Sequence, residues 1–170
     1  MFFVSALKSI LQLLHSNNSP RQISLAIALG FILGISPKGT LGALVIFLIL
    51  FFFKVNFSAA ILSATFFSLI AGLFDIIGGP IGYALLSADF LYSFWRAVYN
   101  LPIIPWTKFY NTIVLGNFLV GLILFYPLLR LVELLVGIYR REFARRLEKT
   151  RLLKIIKMIS LYNLYEKFGG

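Results

Sequence analysis

The chain has 170 residues, of which 60% are hydrophobic and 16% aromatic, and 16 Lys and Arg against 6 Asp and Glu give a formal net charge of +10. Its mean hydropathy of +0.93 is too high for a small soluble domain and indicates an integral membrane protein, so the basic excess points to anionic lipid headgroups as partners and not to nucleic acid. The absence of cysteine and the single histidine exclude disulfides, thiolate metal sites and imidazole metal centres, and we expect neither a metal nor a cofactor.

The first predicted element is an amphipathic helix over residues 2–16. At 100° per residue its apolar and polar side chains cover two separate arcs, and the segment is too short to span a bilayer. We therefore expect it to lie in the membrane interface. A helix packed against a partner protein is the alternative.

A second helix is predicted to begin at Ser19, a suitable N-cap, followed by Pro20 at the first helical position. Residues 21–35 are then almost entirely apolar. Small residues recur at a spacing of four, which lets another helix approach closely: Ala26, Gly30 and Gly34.

The apolar run is interrupted at residues 36–40 and resumes over residues 41–53. Each half is shorter than a bilayer, since 15 residues rise only about 22 Å against a hydrocarbon core of about 30 Å. One kinked span and a hairpin that enters and leaves by the same face are both possible. The topology argued below favours the hairpin.

The interruption is also the candidate binding site. If a helix begins at residue 41, its free N–H groups and positive dipole end face the break, where hydroxyls and one ammonium group are close by. The predicted site for an anionic lipid headgroup consists of Ser36, Lys38, Gly39 and Thr40. The competing interpretation is a plain turn that reverses the chain, with Lys38 reaching water.

Residues 57–74 are predicted to cross the membrane and to end at Asp75, before a second break at residues 78–80 and a short apolar piece. Helix, break and short helix thus occur twice in succession. Paired interrupted segments are typical of transporter repeats, although the two halves share no sequence similarity.

Residues 89–111 combine eight aromatic side chains with prolines and single charges, a composition typical of the membrane interface. Residues 112–138 form the longest apolar run and the clearest transmembrane helix.

A basic tail follows, and its predicted membrane-surface residues are Arg140, Arg141, Arg145, Arg146, Lys149 and Arg151. The positive-inside rule makes this tail cytoplasmic, places residues 89–111 outside and requires Lys54 inside, which is the argument for the hairpin.

The stretch from residue 19 to residue 63 resembles a family of small bacterial integral membrane proteins catalogued as a domain of unknown function. The resemblance rests on two Ser-Pro pairs, a Gly-xxx-Gly segment before the second pair, and a basic residue and Asn after the apolar run: Ser19-Pro20, Gly30, Gly34, Ser36-Pro37, Lys54 and Asn56. It implies a multi-pass protein of the bacterial inner membrane that works near lipids or envelope carbohydrate. Relatives often carry a histidine where this chain has Lys38-Gly39-Thr40, so any role of that histidine is not implied here.

Ionisable residues within the apolar segments are Asp75, Arg130 and Glu133, and the last two are spaced to neutralise one another on one helix face. No catalytic pair, metal-ligand spacing, phosphate loop or Ser–base motif appears, so an enzyme is not expected.

The predicted fold is an all-α membrane protein with an interfacial helix, a broken-helix hairpin, two longer transmembrane segments and a basic amphipathic C-terminal helix. It divides into a membrane domain, residues 1–139, and a cytoplasmic tail, residues 140–170. The predicted function is that of a non-enzymatic subunit of a bacterial lipid-handling or lipid-transport assembly, present as a homo-oligomer or in a larger membrane complex. A structural anchor that recruits a partner through its tail or aromatic loop is the alternative, and a stand-alone carrier comes third.

Overall fold

The computed structural model describes residues 18–53 and 55–148, with side chains given as far as residue 142. The predicted interfacial helix over residues 2–16, Lys54 and the tail from Lys149 onward lie outside the described residues. The described part is all-helical, which confirms that part of the prediction. Its α-helices are α1 Pro20–Ile35, α2 Leu41–Phe52, α3 Phe57–Leu69, α4 Ala71–Leu86, α5 Tyr92–Tyr99 and α6 Thr112–Glu148, and two 3-10 helices cover Asp89–Leu91 and Ile104–Thr107.

The first three helices begin at side chains that cap them. Ser19 and Gln22 form a reciprocal capping box at α1, with each side-chain oxygen accepting from the other residue's backbone N–H at 3.0 and 3.2 Å. Asn56 accepts from the N–H of Ala59 at 3.0 Å and caps α3 in the same way. These starts lie where the sequence places them, because capping depends on neighbouring residues.

Helix α1 is the centre of the molecule and packs between α3 and α6. Ala26 is fully buried, and Gly30 and Gly34 lie against the backbone of α3. The predicted small-residue face is therefore covered within the chain itself, so it does not of itself require a second copy.

The direction of each helix follows from its contacts with α1. Gly30 meets Ala60, and Gly34 meets Ala64, so α3 runs parallel to α1. At the N-terminal end of α1, Arg140 of α6 donates to the carbonyl of Asn18 at 2.7 Å, and at its C-terminal end Asn117 of α6 donates to Ile35. Helix α6 therefore runs antiparallel to α1, with the turn at residues 36–40 near the N-terminal end of α6.

The second helix break, which the sequence predicts at residues 78–80, lies elsewhere in the structure. Helix α3 ends at Leu69, the chain bends by 74° at Ile70, and α4 continues without interruption through residues 78–80, where the second break was expected. The physical reason is the packing of α4 on α6: Gly78 lies against Asn117 and Gly82 against the backbone of Thr112, with no room for a Cβ. These glycines serve close helix contact and not a turn.

Residues Thr112–Glu142 of α6 form a helix long and apolar enough to cross a membrane, and α3 and α4 together would pass as one bent span. Helices α1 and α2 are apolar but shorter. Helix α6 continues to Glu148 through the boundary predicted at residue 139, so one continuous helix joins the predicted membrane domain to the start of the predicted tail.

Candidate functional site

The turn between α1 and α2 is organised by Lys38. Its ammonium group donates to the carbonyls of Leu33, Gly34 and Ser36 at 3.0, 2.8 and 3.1 Å. These carbonyls lie at the C-terminal end of α1, where the partial charge of the helix is negative, so the cation stabilises that end. The Lys38 residue as a whole is exposed at the surface.

Thr40 closes the other side of the turn as the N-cap of α2. Its hydroxyl accepts from the N–H of Ala43 at 3.2 Å and donates to the carbonyl of Pro37 at 3.1 Å. The first two N–H groups of α2, those of Leu41 and Gly42, donate to no acceptor in the described part of the chain. The end of α2 therefore presents two free N–H groups.

Gly39 and Ser36 complete the predicted site. Gly39 has a φ of +76°, a left-handed conformation that a side chain disfavours, so glycine is required there by the turn. The Ser36 hydroxyl is buried and has no hydrogen-bond partner among the described residues. The four predicted residues thus form one turn, in which Lys38, Gly39 and Thr40 each have a structural role.

A cleft of about 650 Å³ opens beside this turn. Lys38, Gly39 and Thr40 lie along it, Leu44 and Phe47 of α2 form one apolar wall, and the segment with Ile103 and Trp106 forms the opposite wall. The cleft is open and lined chiefly by apolar side chains. It can accommodate a hydrocarbon chain with a polar or anionic group near Lys38.

The other predicted sites are distributed along α6. Arg130 and Glu133 form the expected ion pair at 3.3 Å, and Arg130 also donates to the Tyr126 hydroxyl at 3.1 Å. Among the predicted membrane-surface residues, Arg140 binds the Asn18 carbonyl and Arg141 is exposed. Arg145 and Arg146 continue α6 with undescribed side chains, and Lys149 and Arg151 lie outside the described residues.

A polar cluster that the sequence analysis did not identify joins α1, α4 and α6. Asn117, fully buried, donates from Nδ2 to the Ile35 carbonyl at 3.2 Å and to the half-buried carboxylate of Asp75. The sequence singles out Asp75 but not its partner. The sequence signal that could have identified Asn117 is its position as a polar residue, next to Gly116, within a long apolar run.

The described residues contain no group of three or more His, Cys, Asp or Glu side chains that could hold a metal ion. No protein-family model matches the chain, and no solved structure matches it. The chain is similar to an uncharacterized protein of Treponema pallidum (strain Nichols), with 28% identity over 137 residues that cover 81% of this chain and 85% of that protein.

Proposed function

We propose that the protein is a non-enzymatic subunit of a bacterial lipid-handling assembly in the inner membrane, and that it holds an anionic phospholipid in the cleft beside Lys38. The observation that carries this proposal is the cleft itself: an apolar trough of about 650 Å³ that has one exposed cation at its edge. That arrangement complements a phospholipid, whose acyl chain is apolar and whose phosphate is anionic.

The position of the cleft along the bundle supports this proposal. The turn at residues 36–40 lies at the same end of the bundle as Trp106, far from Arg140. Exposed tryptophan side chains favour the headgroup region of a bilayer, so Trp106 would hold the cleft at that depth. With the basic end of α6 cytoplasmic by the positive-inside rule, the cleft opens toward the outer leaflet of the inner membrane.

The chemistry of the turn sets how a headgroup would be held. All three Lys38 N–H donors already bind carbonyls, so Lys38 contributes mainly its charge. Its bond to Leu33 is solvent-exposed and is the one a phosphate oxygen would replace. The free N–H group of Leu41, which lines the cleft, supplies a further donor at the positive end of α2.

The test counts the phospholipids that remain bound to the protein after purification in mild detergent, by mass spectrometry. Leu44→Trp places a large ring in the cleft, whereas Leu48→Trp adds the same ring one turn further along α2, outside it. Leu44 and Leu48 are exposed to similar extents, 51% and 46%, which makes the pair a matched control. We expect a severalfold loss of anionic lipid only with Leu44→Trp.

A second pair of variants separates charge from shape. Lys38→Met keeps the length of the side chain and removes its charge, and Arg96→Met removes an exposed cation from α5, away from the cleft. Loss of anionic but not zwitterionic lipid with Lys38→Met alone supports the proposal. Equal lipid content in all four variants and the natural protein would contradict it.

A further inference from the structure

The side of α6 that faces away from the other helices carries a groove of its own. Gly121 packs against Ile32 of α1 and marks the inner side of α6. Nine residues later, at about 100° per residue, Arg130 lies on the opposite side. The groove there has a volume of about 520 Å³ and is lined by side chains of α6 alone, at intervals of one helical turn: Arg130, Glu133, Leu134, Gly137, Ile138 and Arg141.

Gly137 lies in the middle of this groove and makes no close contact within the described part of the chain. The other two glycines of α6 are explained by packing, since Gly116 lies against the backbone of α4 and Gly121 against side chains of α1. A Cβ added to Gly137 would meet nothing within 4 Å. Glycine is among the least favourable residues inside a helix, so the fold of one chain gives no reason for it here.

Arg130 and Glu133 place two opposite charges on the same face, within the apolar run of residues 112–138. Their ion pair and the bond from Arg130 to the Tyr126 hydroxyl use two of the five N–H donors of the guanidinium. The second carboxylate oxygen of Glu133, Oε1, accepts no hydrogen bond from the described residues. Charged side chains within membrane helices usually face protein or water, whereas these two face out of the molecule.

We propose that this face of α6 binds a second copy of the chain in a parallel, two-fold symmetric pair. Every copy carries its basic end on the same side of the membrane, so identical residues of two copies meet at the same depth. Arg130 and Glu133 are separated by three residues, or about 4.5 Å along the helix axis, so the free donors of each guanidinium reach the free carboxylate oxygen of the other copy. The missing side chain at Gly137 lets the two backbones approach closely.

The charges in the groove favour a second copy over an anionic lipid headgroup. Glu133 lies beside Arg130 and would repel a phosphate, whereas a second copy presents the same two charges and complements both. Arg141 lies beyond the apolar run, where water and salt screen the repulsion between the two copies. The interface is independent of the proposed lipid site, because none of its residues lines the cleft beside Lys38.

Cysteine crosslinking in native membranes tests the contact directly, because the chain has no cysteine of its own. Leu134 lines the groove, and Leu135 points about 100° away from it at nearly the same depth. The two leucines are 58% and 54% exposed, so Leu135→Cys is a matched control for Leu134→Cys. Under mild oxidation we expect a severalfold higher yield of disulfide-linked dimer from Leu134→Cys than from Leu135→Cys.

Two charge variants separate contact between copies from pairing within one helix. Arg130→Glu and Glu133→Arg each remove the ion pair within the helix, and each leaves charges of one sign at these two positions. When two differently tagged copies of either variant are expressed together, we expect a severalfold loss of co-purification relative to the natural chain. When Arg130→Glu is expressed with Glu133→Arg, co-purification should return, because the opposite charges then lie on different copies.

Equal crosslinking at positions 134 and 135 would overturn the proposal. So would mixed charge variants that co-purify no better than either variant with itself. A natural chain that is monomeric in membranes, and that loses bound anionic phospholipid with Arg130→Glu, would assign this face to a lipid headgroup instead of a second copy.

Discussion

Gly34 lies so close to Ala64 that a Cβ added to the glycine would stand 2.8 Å from the Ala64 carbonyl oxygen and 2.7 Å from the Cβ of Phe67. One turn earlier, Gly30 makes the same kind of contact with Ala60. The two helices therefore touch backbone to backbone, and the Ser63 hydroxyl donates to the Ile27 carbonyl at 2.8 Å within the same interface. This contact fixes α3 against the central helix.

The close contact predicts that Gly34→Leu destabilises the fold. The new side chain has no space, and overpacking of this kind costs about 1–3 kcal/mol. Gly72→Leu is the matched control, because a side chain at Gly72 meets nothing within 4 Å and removing a helical glycine is favourable. Thermal unfolding in detergent should show a lower midpoint for Gly34→Leu alone, and equal midpoints would mean that α3 does not pack here.

Lys38 provides a second prediction about stability. Because its ammonium group binds three carbonyls at the end of α1, Lys38→Met should lower the free energy of unfolding by about 1 kcal/mol, whereas Lys38→Arg should retain most of it. Unfolding by heat in the same detergent measures the difference. If Lys38→Met is as stable as the natural chain, the ammonium group does not cap α1 in solution.

How much of this structure could be read from the sequence depends on how local each cause is. The starts of α1 and α2 and the turn at Gly39 follow from Ser19, Pro20 and Thr40 acting on adjacent backbone. The bend at Ile70 could not be read from the sequence, because residues 69–71 contain neither glycine nor proline. Gly78 and Pro80, which resemble a break in sequence, lie inside a helix, where Gly78 packs against α6.

The candidate sites also have a part that follows from local sequence and a part that depends on distant contacts. The position of Lys38 at a helix break is evident from the sequence, but its three carbonyl partners belong to a helix end whose geometry the sequence does not show. The hydrogen bonds of Asn117 could not be predicted from the sequence for a similar reason. One of its partners is the backbone carbonyl of Ile35, 82 positions away, and a carbonyl carries no residue-specific signal.

The proposed topology makes a third prediction, which the absence of natural cysteines makes simple to test. A single cysteine at Lys149 should resist a membrane-impermeant thiol reagent added to intact spheroplasts, because the basic tail is predicted to be cytoplasmic. A single cysteine at Ile103, which is exposed in the aromatic segment, should be labelled readily. Permeabilised cells give the full labelling of both. The reverse pattern would invert the topology and place the cleft in the inner leaflet.

The last prediction concerns Trp106, one of only two tryptophans in the chain. The other, Trp95, donates to the Leu85 carbonyl at 2.9 Å and stacks on Tyr99 away from the cleft. Trp95→Phe therefore leaves a fluorescent side chain that reports on the cleft. In vesicles that contain phospholipids brominated near the headgroup, Trp106 should be quenched more by an anionic lipid than by a zwitterionic lipid at equal mole fraction.

Adding Lys38→Met to this variant should remove the preference for the anionic lipid while leaving the zwitterionic quenching unchanged. The change removes the ammonium group, with its charge and its three bonds to the end of α1, but leaves the apolar side chains that line the cleft. The complementary variant, Trp106→Phe with Trp95 retained, should show no headgroup preference, because Trp95 does not line the cleft. Equal quenching of Trp106 by both lipids before the Lys38 change would mean that the cleft lies in the bilayer without selecting a headgroup. Lys38 would then act only as the cap of α1, and the lipid-binding proposal would fail.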